Sequence, residues 1–279
     1  MNQILKDFIL QSNLYPEETF PGVTIDDLNR YLPAIQGHDD ISKNIDTLKE
    51  GIYLSNPIEG LKRIPSKSID LIIAEPPKDP WNYKEDSSQM TLQEYYEWNE
   101  EWLSESKRVL KNTGGIYLLC DWKSSSMYHG LLAKFFIIQT RITWNNKSIS
   151  SSYKTPTWKD QTGDIWFATK SEDFLFNLNA VSLKSDRETL INNINEKTQT
   201  NLWLDIPTSI DKYARLSEKL FSKMLDASSF KLNWILDPFM RNGDVGVVVK
   251  KNGRRFIGLE VDKDLLLLAM KRINEINNN

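Results

Sequence analysis

The chain has 279 residues, 40% of them hydrophobic, enough to bury one large α/β core with a small appendage. Its 35 Lys and Arg against 38 Asp and Glu leave a formal net charge of -3, which excludes a general cationic coat for nucleic acid, so any such grip is local. One cysteine and two histidines exclude an internal disulfide and leave no zinc-site spacing, and charge interrupts every apolar stretch short of the roughly 18 residues of a membrane span. A reducing, cytoplasmic setting without membrane contact is expected.

Residues 1–45 mix short apolar-periodic pieces with Pro16, Pro21 and Pro33, which predicts a helical extension broken by turns, ahead of a main domain over 46–279. Ser68 to Ala74 (SIDLIIA) reads as a strand buried on both faces and halted by Glu75-Pro76-Pro77. Thr91 to Leu110 has helical spacing, and Lys107, Arg108 and Lys111 before Gly114-Gly115 look like its charged end and stop. Ile116 to Cys120 is the next buried strand, followed by strands over 135–144 and 164–169 with a polar loop, Asn145 to Asp160, between them. Residues 170–212 form a polar excursion too short for a separate domain. Finally WILDPF, GDVGVVVKKNG, RRFIGLE and DKDLLLLAMKRI alternate strand and helix, predicting parallel strands with a right-handed crossover.

Parallel sheets bind ligands beyond the carboxyl ends of their strands, and two such ends carry acids. After the first come Glu75, Pro76 and Pro77, with Trp81 close behind. An exocyclic amino group on a base is a poor nucleophile; a carboxylate and a backbone carbonyl on a stiff Pro-Pro turn accept its two hydrogens, and a ring such as Trp81 stacks on a base flipped out of a duplex. After the second come Asp237, Phe239 and Gly243, and Glu260 ends the next strand, where an acid holds ribose hydroxyls. Taken singly, each has a structural reading: a rigid strand exit, a turn, a solvated acid, and helix packing for Tyr95, Tyr96 and Trp102. In the polar loop Lys147, Lys154, Trp158 and Lys159 interleave cations with a ring, a pattern shared by a nucleic-acid grip and by a solvated loop.

The order of these segments resembles the β-group of amino DNA methyltransferases, over about residues 50 to 275. SIDLIIAEPP is similar to the strand that leads to that family's Asp-Pro-Pro-aromatic motif, EYYEWNEEWLSESKRVLKNTGGIYLLCDWKSS to the helix and strand after it, and ILDPFMRNGDVGVVVKKNGRRFIGLE to the cofactor-binding end. The resemblance implies a Rossmann-like α/β fold with a mostly parallel sheet flanked by helices. It also implies S-adenosylmethionine as cofactor, a DNA substrate rather than RNA, no metal, and recognition through 170–212. By the same resemblance Glu75 takes the place of the catalytic aspartate, Pro76 that of the carbonyl acceptor, and Asp237, Phe239, Gly243 and Glu260 that of the cofactor contacts. Departures stand beside them. Lys78 replaces the stacking aromatic, Arg241 the first glycine of Phe-x-Gly-x-Gly, and Lys212 to Glu218 a His-Pro-Thr-Gln-Lys-Pro-like stretch.

Two functions follow. One is a DNA amino-methyltransferase, adenine N6 ahead of cytosine N4. The other is a catalytically impaired or inactive methyltransferase-fold subunit, with or without the cofactor, that binds nucleic acid, scaffolds an active methyltransferase partner, or does both; a partner subunit of the same fold or a homodimer is the expected assembly. That second arrangement resembles the eukaryotic messenger-RNA adenine methyltransferase pair, where one partner carries Glu-Pro-Pro.

Overall fold

Capping residues and apolar runs set the element boundaries in the computed structural model, which describes residues 22–77, 90–146, 158, 161–183, 200–206 and 216–277. Thr24 caps α1 (Ile25–Tyr31) by accepting the Asp27 N–H, and Pro33 lies in the 3-10 turn Leu32–Ala34 that follows. Lys271 binds Asp27 and the Gly22 carbonyl, tying α1 to the last helix of the chain. Gln36–Gly37 (β1) pairs with Gly51–Leu54 (β2) at the edge of the main sheet. Sequence patterning does not mark β2, because Tyr53 is its one buried residue. After α2 (Pro57–Arg63) comes β3 (Ile69–Ala74), the strand expected from SIDLIIA.

The helix expected from Thr91 is α3 (Leu92–Val109), with a capping box between Thr91 and Glu94. Its expected stop at Gly114-Gly115 is corrected: α3 ends at Val109, and β4 (Leu110–Cys120) runs through both glycines. A Cβ on Gly114 would lie 3.0 Å from the Asp70 carbonyl oxygen and one on Gly115 3.3 Å from that of Ala168, so the pair permits close approach inside the sheet. Phe135 also moves from the expected strand, since it closes α4 (Trp122–Phe135), and β5 (Ile137–Asn145) begins after it. Then follow β6 (Thr162–Thr169), α5 (Leu178–Leu183), β7 (Leu202–Trp203) and α6 (Glu218–Ser228). The expected βαβα unit is present as β8 (Trp234–Asp237), α7 (Asp244–Lys251), β9 (Arg255–Glu260) and α8 (Lys263–Asn277).

Among the described residues the strands form one sheet in the order β1-β2-β9-β8-β3-β4-β6-β5-β7. Neighbours are parallel from β1 through β4, and β6 runs antiparallel to both β4 and β5. Side chains alternate along β3: Ile72 and Ala74 enter one core with Leu61, Trp102 and Tyr128, while Leu71 and Ile73 enter the other with Leu220, Val248 and Leu266. Helices α2, α3 and α4 thus cover one face, and α6, α7 and α8 the opposite one. The Asp70 carboxylate accepts from Lys111 Nζ at 2.8 Å and from the Trp234 N–H at 2.8 Å, fixing β3, β4 and β8 together at their starts. No helix among the described residues is long and apolar enough to cross a membrane.

A candidate active site at the reversal of strand order

From β3 the chain advances to β4 on one side, and from β8 to β9 on the other, so the strand order reverses between β3 and β8. Their parallel register, Leu71 opposite Ile235 and Ile72 opposite Leu236, sets Glu75 and Asp237 beside each other at the carboxyl edge, with the end of β9 next along. This is where an open parallel sheet leaves a crevice, because the following segments depart to opposite faces.

Glu75 is half-buried and Pro76 buried. The turn they form is braced from α3, where the Tyr95 hydroxyl donates to the Pro77 carbonyl and lies 3.0 Å from the Tyr128 hydroxyl. Tyr128 donates to Asn99 Oδ1 at 3.1 Å, as does Trp102 Nε1 at 2.8 Å, while Asn99 Nδ2 donates to the Tyr95 carbonyl. Burial pushes the Tyr128 hydroxyl well above its ordinary pKa, so it stays a neutral donor. Sequence reasoning takes Tyr95 only as packing. The available signal was Asn99, an amide lying between Tyr95 and Trp102 on one buried helix stripe.

The cofactor-like end is tightly pinned. Asp237 Oδ1 accepts the Phe239 N–H at 3.0 Å, and the Glu260 carboxylate accepts the N–H groups of Arg241 at 2.6 Å and Asp262 at 2.9 Å. Both acids are buried, at 3% and 5% exposure, and neither has an ion-pair partner among the described residues. Burial raises the pKa of each. For Asp237 the repulsion of Glu260, Glu75 and Asp244 adds to it against the Phe239 N–H; for Glu260 the backbone donors oppose it.

Phe239 lies in the core, its ring 5.0 Å edge-on from Trp102 and 5.6 Å from Trp98, so it couples this turn to the helix that braces Pro77. Gly243 caps α7 in the left-handed region, φ 83°, and a Cβ there would come 2.9 Å from the Ala269 Cβ on α8. Arg241 shares that region without being glycine, at φ 50°, and its Nη1 stands 3.9 Å from Glu75 Oε2.

Glu75, Pro76, Pro77, Asp237, Phe239, Gly243 and Glu260 therefore gather at one edge of the sheet. Trp81, Lys78, Lys147, Lys154 and Lys159 lie outside the described residues, as do 212–215; Trp158 is described and 94% exposed. At the end of the 212–218 stretch, the Leu216 N–H reaches Asp244 Oδ2 at 3.3 Å, which brings the start of α6 to the same crevice.

A family described as DNA methylase, covering N6 and N4 methyltransferases, matches residues 69–271. The Type II methyltransferase M.HpaI of Haemophilus parainfluenzae is 29% identical over 241 residues, spanning 81% of this chain and 75% of its own length. The DNA adenine methyltransferase YhdJ of Escherichia coli K12 is 25% identical over 233 residues, spanning 77% of this chain and 79% of its own. Among solved structures, the PvuII DNA methyltransferase, titled cytosine-N4-specific, aligns with a TM-score of 0.65 at 17% identity over 88% of this chain and 94% of its own. A DNA modification methylase of Thermus thermophilus, TTHA0409, described as putative and solved with S-adenosyl-L-methionine, aligns at 0.62 and 18% identity over 81% and 94%. The structural likenesses carry the fold, and the family match extends from the first residue of β3 to within the last helix. The chain belongs to the N6/N4 DNA methylase family and has its Rossmann-like methyltransferase fold.

Proposed function

We propose that this chain is a DNA amino-methyltransferase that uses S-adenosylmethionine and acts on adenine N6. The observation that carries this reading is the β3–β8 adjacency, which puts the Glu75-Pro76 turn and the acids Asp237 and Glu260 on one crevice. The residues fit the cofactor in charge, since two buried carboxylates without ion-pair partners among the described residues suit ribose hydroxyls and a cationic ligand. Adenine is preferred because relatives at similar identity include a named DNA adenine methyltransferase.

When bound, the cofactor supplies an electrophilic methyl on a sulfonium. Glu75 and the Pro76 carbonyl accept the two hydrogens of the target amino group, which orients the nitrogen lone pair toward that methyl. Tyr95 holds the turn through Pro77, so the acceptors do not reorganise during transfer. With the cofactor in place, the N–C bond would form as the C–S bond broke, S-adenosylhomocysteine would be released, and the acidic ammonium would pass its proton to water without a dedicated base.

The test is methyl transfer from labelled S-adenosylmethionine to DNA, with calorimetric titration of the cofactor alongside. The wild-type chain binds and transfers, and Glu75→Ala lowers transfer by about 100-fold or more while cofactor binding persists. Absence of binding and transfer in the wild-type chain would overturn this reading. It would leave the second one, a cofactor-free subunit for a partner methyltransferase, which the position of Arg241 across the crevice favours.

A further inference from the structure

The turn between β8 and α7 projects a cation over an acid-lined crevice. Arg241 sits at φ 50°, where L side chains are strained, and the turn gives it little freedom to relax. The Met240 N–H donates to the Leu259 carbonyl at 3.0 Å and the Arg241 N–H to Glu260 at 2.6 Å. On the other side Arg272 donates to the Asn242 carbonyl at 2.7 Å and pairs with Asp244 at 2.6 Å. The root of the side chain is therefore fixed, and its guanidinium reaches 3.9 Å from the Glu75 carboxylate, across the mouth of the crevice. Beneath it Ile73, Glu75, Asp237, Phe239, Arg241 and Asp244 line the same crevice. Asp244 already has Arg272, whereas Asp237 and Glu260 have no cation within pairing distance among the described residues.

We propose that Arg241 is the specificity-determining residue of this crevice: it is a resident cation beside Glu75 and sets the preference between sulfonium and neutral thioether ligands. This rests on the reading that S-adenosylmethionine binds here. A ligand with a charged sulfur meets a Glu75 that already has Arg241 beside it, and is repelled by the guanidinium. S-adenosylhomocysteine differs by the methyl and the charge and does not feel that term. Arg241 therefore weakens S-adenosylmethionine relative to S-adenosylhomocysteine, and the ratio of the two affinities reports its charge independently of turnover.

The experiment is calorimetric titration of both ligands into the wild-type chain, Arg241→Gln and Arg241→Gly. Gln deletes the charge and keeps a side chain in the left-handed region; Gly deletes both, and its melting temperature should not fall below wild type. The expected result is a rise of about three- to tenfold in the S-adenosylmethionine to S-adenosylhomocysteine affinity ratio in both variants, smaller at high salt because the pair is partly exposed. A wild-type chain that binds, with a ratio unmoved by Arg241→Gln, overturns it and leaves the cofactor reading intact; so does a ratio that moves in Arg241→Gly only, which would assign the effect to the backbone. No binding of either ligand by any of the three removes both readings together.

Discussion

Asp237 keeps a carboxyl in the core with one hydrogen bond to its Oδ1, from the Phe239 N–H, and no ion-pair partner among the described residues. Its folded pKa lies well above the ordinary 3.8, first through burial and then through Glu260, Glu75 and Asp244. For an acid with a raised folded pKa, the native state binds more protons than the unfolded one between the two values, so this site's contribution falls as pH rises from about 4 through the folded pKa. Asp237→Asn keeps an oxygen for the Phe239 N–H and removes that cost. Its melting temperature should match wild type near pH 3.5 and exceed it by about 2–4 °C at pH 8, with cofactor affinity reduced tenfold or more. Thermal melts across pH with parallel titration test this; a variant no more stable at pH 8, or one with full affinity, would contradict it. Asp237 and Glu260 were legible as acids closing apolar runs. The Tyr95 brace was not, because the carbonyl it binds is 18 positions away and nothing local marks a hydroxyl as its donor.

Helix α2 ends against another helix's side chain. Arg108, in the last turn of α3, donates to the Leu61 carbonyl at 2.7 Å, which also takes the Ile64 N–H, and to the Ile64 carbonyl at 3.0 Å just past the end of α2. The same guanidinium reaches Ser66 at 2.9 Å and pairs with Glu105 at 2.8 Å. Arg108→Ala should cost about 2 kcal/mol, a drop of roughly 4–8 °C in melting temperature, and leave cofactor affinity unchanged because the crevice lies at the other end of β3. A loss of affinity equal to that of Asp237→Asn would show that the two ends are coupled. From the sequence, Arg108 reads only as a favourable charge at a helix end. At this scale β3, α3 and the closing βαβα unit were legible because their apolar periods are long. Gly114-Gly115 misled because glycine stops helices and also admits neighbouring backbone, and only the Asp70 and Ala168 carbonyls decide between these roles.

For the molecule as a whole, a net charge of -3 means that DNA must be held by a local patch. Lys154 and Lys159 are the sequence's candidates. Replacing both with Ala should weaken DNA binding roughly tenfold at low salt and flatten the dependence of log affinity on log salt by about 2 units. Unchanged affinity across a salt titration would remove these lysines from the interface. Fold class and the parallel closing unit could be read in advance. The strand order itself could not, since periodicity describes each strand's own faces and carries no information about which distant strand lies beside it. The β3–β8 pairing has a consequence for biosynthesis. Glu75 leaves the ribosome about 160 residues before Asp237, a delay of roughly 8–30 s at ordinary elongation rates. Throughout that interval the inner edge of β3 has no β8 to cover it and the crevice does not exist, so a nascent chain that stalls in this window presents an open hydrophobic strand edge to chaperones instead of a closed sheet.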